Sequence, residues 1–294
     1  MSPIIETQKL LDQAQSLIDQ CHAEGAIKFV ERALQIEPDN CRVLDLYADC
    51  LIELDRHGEA ISVLQKSISI SPDDSPFRYM NLGQLLSGTD ALQCYGKGIQ
   101  IMSSRLSSDD LMATRLSSGL CSMAELYMTD LCDEPNAEQA CDDLLAQAIH
   151  VAPSNTDAYR SLANLRLIQQ QFDQASDCVS KCLEIIGDRD HDDGESESGG
   201  AMSVAGRCDL AKICIELDRY SDAADLIDRC LCEDDSDPEL FVLAGLCYLK
   251  EDDIDSCDDY LNQATQMLSK HPNPPLQAEL DAILEELNRK RRSS

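Results

Sequence analysis

Apolar positions along the chain recur at helical spacing. Leu10, Ala14 and Leu17 fall at steps of four and three, as do Leu44, Ala48 and Leu51, and a second run of the same kind follows each. In Glu24 to Pro38 (EGAIKFVERALQIEP) and Gly58 to Pro72 (GEAISVLQKSISISP), a small residue (Ala26, Ala60) precedes a larger apolar one by four positions (Val30, Leu64). Another small residue stands three further on (Ala33, Ser67), and a proline follows. Small residues on one face let a neighbouring helix approach closely, and proline stops a helix. The pattern therefore predicts pairs of helices joined by turns. Pro38 and Pro72 lie 34 residues apart, which makes the pair a repeating unit.

Weaker copies continue to the end of the chain. The third unit carries Leu82, Gly83, Ala91, Tyr95 and Gly98, and the fourth Ala124, Tyr127, Cys141, Leu145 and Ala148. The fifth has Ala163, Ala175, Val179 and Cys182; the sixth Ala211, Ala223, Ile227 and Cys230; the seventh Gly245, Cys257, Leu261 and Ala264. A last amphipathic helix is expected over Leu276 to Asn288. These residues resemble the tetratricopeptide repeat, a helix-turn-helix unit of this period. The expected fold is all-α: a superhelical tetratricopeptide-repeat (TPR) solenoid of about seven units plus a C-terminal capping helix over residues 1–288, with a basic tail at 289–294. Ser103 to Asp110 is a serine-rich connection. Residues 188–200 (DRDHDDGESESGG) lack apolar periodicity and are expected to form an acidic, disordered insertion within one continuous array.

Charge narrows the function. With 24 Lys+Arg against 55 Asp+Glu the formal net charge is −31, and both halves of the chain are acidic. Such a chain is repelled by nucleic-acid phosphate and by anionic membrane surfaces. The longest apolar run, Phe241 to Leu249, is about half of the ~18 residues a spanning helix needs, and the N-terminal MSPIIETQKL lacks the pattern of a secretory signal. A soluble protein of the cytoplasm and nucleus is expected, with a basic partner and no direct contact with nucleic acid or membrane.

Catalytic chemistry finds no foothold. The 15 cysteines include no CxxC pair, and Cys141, Cys182, Cys230 and Cys257 occupy small-residue positions of the repeat, where a thiol packs as an apolar group. No GxSxG, GxxxxGK[ST], HExxH or glycine-rich dinucleotide loop occurs. No catalytic, metal or cofactor site is expected.

What remains is a binding groove. In a tetratricopeptide array the first helix of each unit lines the concave face. The register places Asp19, Asp45, Asp49, Glu53, Glu125, Asp157 and Glu216 there, opposed by Arg42, Arg160, Lys212 and Lys250. One sign along a concave wall focuses its field on a cationic ligand. Ile18, Ile52, Met128, Leu167 and Leu249 are expected to add an apolar, less salt-sensitive component. Co-chaperones of this class that hold acidic tails do so with Lys, Asn and Arg, where this chain has Leu11, Gln15 and Leu46, so an acidic ligand is disfavoured.

Two segments are more distinctive: Ser122 to Ile149 (SMAELYMTDLCDEPNAEQACDDLLAQAI) and Pro76 to Met102 (PFRYMNLGQLLSGTDALQCYGKGIQIM). Together with size and acidity they resemble the fungal and plant assembly chaperones of ribosomal protein L-four of the large subunit. The resemblance implies a protein that captures the newly made ribosomal protein, shields its long basic loop and escorts it to the nuclear pre-ribosome. A generic scaffold that takes a peptide of another complex is the alternative. Arg289-Lys290-Arg291-Arg292 fits either a signal for nuclear import factors or a complement to the negative end of the last helix.

Overall fold

Fifteen α-helices, and no strand, make up the described residues of the computed structural model, 3–20, 22–106, 110–190 and 202–293. They divide into two compact units, Met1–Pro153 and Ser154–Ser294. Unit 1 holds α1 (Pro3–Ile18), α2 (Ala23–Ile36), α3 (Cys41–Glu53), α4 (His57–Ile70), α5 (Phe77–Leu85), α6 (Gly88–Ser104), α7 (Asp110–Met128) and α8 (Ala137–Val151). Unit 2 holds α9 (Thr156–Ile168), α10 (Phe172–Asp190), α11 (Val204–Glu216), α12 (Tyr220–Glu233), α13 (Pro238–Lys250), α14 (Ile254–Lys270) and α15 (Pro274–Ser293). These are seven antiparallel hairpins and a final single helix, as the repeat pattern predicts. Most of the acidic insertion, residues 191–200, lies outside the described residues, and α10 runs on to Asp190. The basic tail is not a separate segment: Arg289 to Arg292 are turns of α15.

The repeat residues do what their spacing requires. Ala26, Ala33, Ala60, Ser67, Ala148, Ala223 and Ala264 are fully buried where helices cross, with Val30, Leu64, Leu145, Ile227 and Leu261 packed beside them. Gly98 is set by close approach: a Cβ there would stand 2.7 Å from the Met80 sulfur and 3.2 Å from the Pro76 carbonyl oxygen. In unit 2 one core spans α9 to α13, and a second, built on Phe241, Leu261, Leu280 and Leu287, joins α13, α14 and α15.

Turns and caps follow from sequence too. Asn40, Asn155 and Asp237 each accept a hydrogen bond from the backbone N–H two residues on, capping α3, α9 and α13. Each of these first helices then ends in a left-handed residue, Asp55 (φ 56°), Gln170 (φ 59°) or Asp252 (φ 62°), and α11 ends likewise at Asp218 (φ 57°). The N–H of the following residue reaches back to close the turn, Arg56 to Leu51 O and Arg219 to Cys214 O at 2.8 Å each.

Candidate functional site

In unit 1 the first-helix face is built on α1 and α3, with α5 behind. Along α1, Gln8 Nε2 donates to Asp12 Oδ1 at 2.7 Å and Gln15 Nε2 to Asp19 Oδ1 at 2.9 Å. Residues four apart on a helix meet, so each glutamine holds the next turn's carboxylate. On α3, Asp49 Oδ1 accepts from Asn81 Nδ2 of α5 at 2.9 Å. Three carboxylates thus meet neutral amides, which bias their orientation and leave their charge uncancelled. Glu53 is exposed one turn further along α3. Between α1 and α3 lies a cleft of about 310 Å³, lined by Gln8, Leu11, Asp12, Gln15, Arg42, Asp45, Leu46 and Asp49. Arg42, the cation among these, donates to Gln8 Oε1 at 3.2 Å.

Asp45 and Asp49 share a face but not a role. Asp45 is committed to the fold: Arg78 of α5, whose side chain is only 2% exposed, grips it through Nε at 2.7 Å and Nη2 at 2.9 Å, and Ser67 Oγ donates to it at 2.7 Å. It lines the cleft as the register places it, but its charge is already engaged by Arg78. A ligand would have to displace a buried guanidinium to use it. Asp49 is mostly buried with no cation of its own. Burial, then the nearby Asp45 and Glu53 charges, push its carboxyl up to about 6 against the pull of the Asn81 hydrogen bond.

The first-helix face of unit 2 is organised differently. Arg160 of α9 pairs with Asp209 of α11 at 3.3 Å, Lys212 of α11 with Glu239 of α13 at 2.6 Å, and Lys250 of α13 with Glu286 of α15 at 2.8 Å. Each cation meets a carboxylate on the next first helix or on the capping helix, so this face neutralises itself rung by rung. Asp157 sits 3.7 Å from Arg160 and belongs to the same network, while Glu216 is exposed at the end of α11. Glu125 in unit 1 is exposed near the end of α7.

The expected apolar residues separate. Ile18 and Ile52 lie partly exposed at the rim of the unit 1 core, Leu167 likewise in unit 2, and Met128 is half-buried. Leu249 is fully buried in the core of α13 to α15 and touches no ligand, which corrects its assignment: the position faces α14 and α15. Its exposed counterparts in unit 2 are Ile168 and Phe172, at 59% and 55%, flanking the left-handed Gln170. Asp12 and the amides Gln8, Gln15 and Asn81 were not expected. The signal for two of them is a Gln-x-x-x-Asp spacing that occurs at Gln8 and again at Gln15.

The thiols at the small-residue positions of the repeat are packing groups. Cys141, Cys182, Cys230 and Cys257 are at most 1% exposed, and the first two donate to the carbonyl oxygens of Ala124 and Thr156 at 3.4 and 3.3 Å. Burial pushes the Cys182, Cys214 and Cys247 thiols up to about 12, far from the thiolate that metal binding or nucleophilic work needs. Among the described residues no three His, Cys, Asp or Glu side chains converge as a metal site, and no helix is long and apolar enough to cross a membrane.

Known proteins share both fold and sequence features. A tetratricopeptide-repeat family model matches residues 17–82. A protein of Schizosaccharomyces pombe named probable assembly chaperone of rpl4 is 28% identical over 255 residues, 84% of this chain and 75% of that one. Its namesake from Emericella nidulans is 25% identical, over 82% of this chain and 64% of its own length. The solved structure of an assembly chaperone of RpL4 (Acl4) superposes with a TM-score of 0.68 at 24% identity, covering 84% of this chain and 97% of that one. One chain of the APC/C hetero-tetramer Cut9-Hcn1 gives a TM-score of 0.62 at 13% identity, over 93% of this chain and 48% of the other, a likeness of fold alone. The described residues of the chain are thus helical, a tetratricopeptide-repeat model matches residues 17–82, and more than four-fifths of the chain is similar to proteins named as assembly chaperones of rpl4.

Proposed function

We propose that this chain is a non-catalytic chaperone of a large-subunit ribosomal protein of the rpl4 class. It captures a basic segment on the first-helix face of unit 1, keeps that segment from nucleic acid, and escorts it from cytoplasm to nucleus for pre-ribosome assembly. The observation that carries this reading is that Asp12, Asp19 and Asp49 are met by glutamine and asparagine amides rather than by cations, so their charge is not cancelled before a partner arrives. The names of the similar proteins point to the same cargo.

A segment that must lie on RNA is rich in Lys and Arg and binds any polyanion it meets. A folded polyanion of net charge −31 competes for it, attracting it at long range and holding it at short range. Because Asp12, Asp19 and Asp49 are held by amides rather than by a cation, cargo ammonium and guanidinium groups bind them without breaking an ion pair. Ile18 and Ile52 offer contact that persists as salt rises.

The test is a binding titration of the full chain with a purified rpl4-class ribosomal protein at moderate salt. A stoichiometric complex is expected. Reversing the exposed Asp12, Asp19 and Glu53 to Lys should weaken it by about tenfold or more, since close charge pairs at interfaces couple by more than 1 kcal/mol each. Reversing Asp177, Asp225 and Asp259, exposed on the second helices of unit 2, changes the net charge equally and should cost far less. Equal losses would show that only total charge matters. Failure to form the complex, with another assembly recovered from cells instead, would favour a generic scaffold.

A further inference from the structure

We infer that the basic run Arg289 to Arg292 is a masked binding segment, open to an acidic-grooved nuclear import receptor only when the last turn of α15 leaves the body of unit 2. The docking is specific. Lys290 Nζ donates to the carbonyl oxygen of Leu249 at 2.7 Å and pairs with Asp252, so it caps the carboxyl end of α13. Arg291 pairs with Asp258 of α14, and one turn earlier Glu286 takes Lys250 of α13 at 2.8 Å. Leu287, 1% exposed, anchors the same turn from the apolar side. The Lys290 and Arg291 side chains are 33% and 43% exposed, against 74% for Arg289.

Three of the four cations therefore already pair with this chain's own carboxylates: Arg289 with Glu285 within α15 at 4.0 Å, and Lys290 and Arg291 with acids outside that helix. A receptor that reads the run must first exchange those contacts. Glu285 and Glu286, which precede the run, also repel an acidic groove while the helix is intact. The last turn of a helix opens at low cost compared with its core, so a small undocked population exists at equilibrium, and apparent affinity is reduced by that fraction. Neither helix-end complement nor import signal describes the run alone: the fold holds it in the first role and withholds it from the second. The inference rests on the proposed nuclear destination, but its test contains no ribosomal cargo and so succeeds or fails separately from the capture reading.

The probe is the acidic armadillo domain of an importin-α-type receptor, titrated against the full chain. Asp252→Asn with Asp258→Asn removes the carboxylate partners of Lys290 and Arg291 without adding a cation, leaving the Lys290 bond to the Leu249 carbonyl oxygen in place, and should tighten binding at least tenfold over the unsubstituted chain. Adding Arg289→Ala and Arg292→Ala to the released variant should remove the gain. A thermal melt of each protein checks that unit 2 remains folded. Equal affinity of the unsubstituted and released chains would overturn the masking. No binding by the released chain, or a gain that survives loss of both arginines, would overturn the segment's role as a receptor ligand.

Discussion

Asp45 and Asp49 stand one turn apart on α3, and their partners give them opposite properties. Removing the Asp45 carboxylate leaves Arg78 buried without its main counter-charge, so Asp45→Ala should lower stability by about 3 kcal/mol in urea denaturation. Asp49 carries the reverse sign. Its carboxyl is raised from 3.8 to about 6, so between those values the folded state keeps a proton that the unfolded state has lost, and stability falls as pH rises through that window. Asp49→Asn should therefore gain about 2 kcal/mol relative to the unsubstituted protein at pH 7, after allowing for solvent screening, and little at pH 3. Protonation also removes a binding charge, so affinity for basic cargo should drop from pH 7 to pH 5, and Asp49→Asn should flatten that drop. Spacing alone shows that the two carboxylates share a face. It does not show which is occupied, because Arg78 and Asn81 lie more than thirty residues further along the chain.

The helices were legible because each unit repeats a small-large-small face and ends in a recognisable stop. The close contact at Gly98 is fixed by the Pro76 carbonyl, a backbone atom that cannot swing away, so Gly98→Ala should cost about 1–3 kcal/mol through overpacking. The turns were less legible, since the left-handed position is held by Asp or Gln where glycine is the usual choice. Gln170 has a Cβ to accommodate at φ 59°, and Gln170→Gly should raise the melting temperature, by the equivalent of about 0.5–1 kcal/mol. The misplacement of Leu249 has an element-scale cause. In α13 nearly every face is covered, by α12 and α14 and then by α15, so an apolar residue near its end meets the capping helix. Sequence periodicity predicts α15 as an amphipathic helix to Asn288. The basic run of its last turn docks on Asp252 of the α13–α14 turn and Asp258 of α14, partners that periodicity does not report.

For the whole molecule, net charge and its effective distribution are different quantities. Both halves are acidic, yet three successive ion pairs tie up acids along the first-helix face of unit 2, whereas in unit 1 Asp45 is held by Arg78 while Asp12, Asp19 and Asp49 meet neutral amides. On the proposed reading, composition argues for a basic partner, and the ion-pair pattern of unit 2, which joins residues 27 to 49 apart, argues for the unit 1 face. Capture should accordingly weaken as salt rises, with a slope reduced by loss of the unit 1 acids and little changed by exposed acids elsewhere in unit 2, measured as log affinity against log salt.

The amides beside those acids have a genetic consequence. Glutamine and asparagine codons each lie a single base change from lysine, so Gln8, Gln15 and Asn81 are positions where one mutation could install a cation against Asp12, Asp19 or Asp49. Cargo affinity could then be tuned down, step by step, with every carboxylate still in its gene.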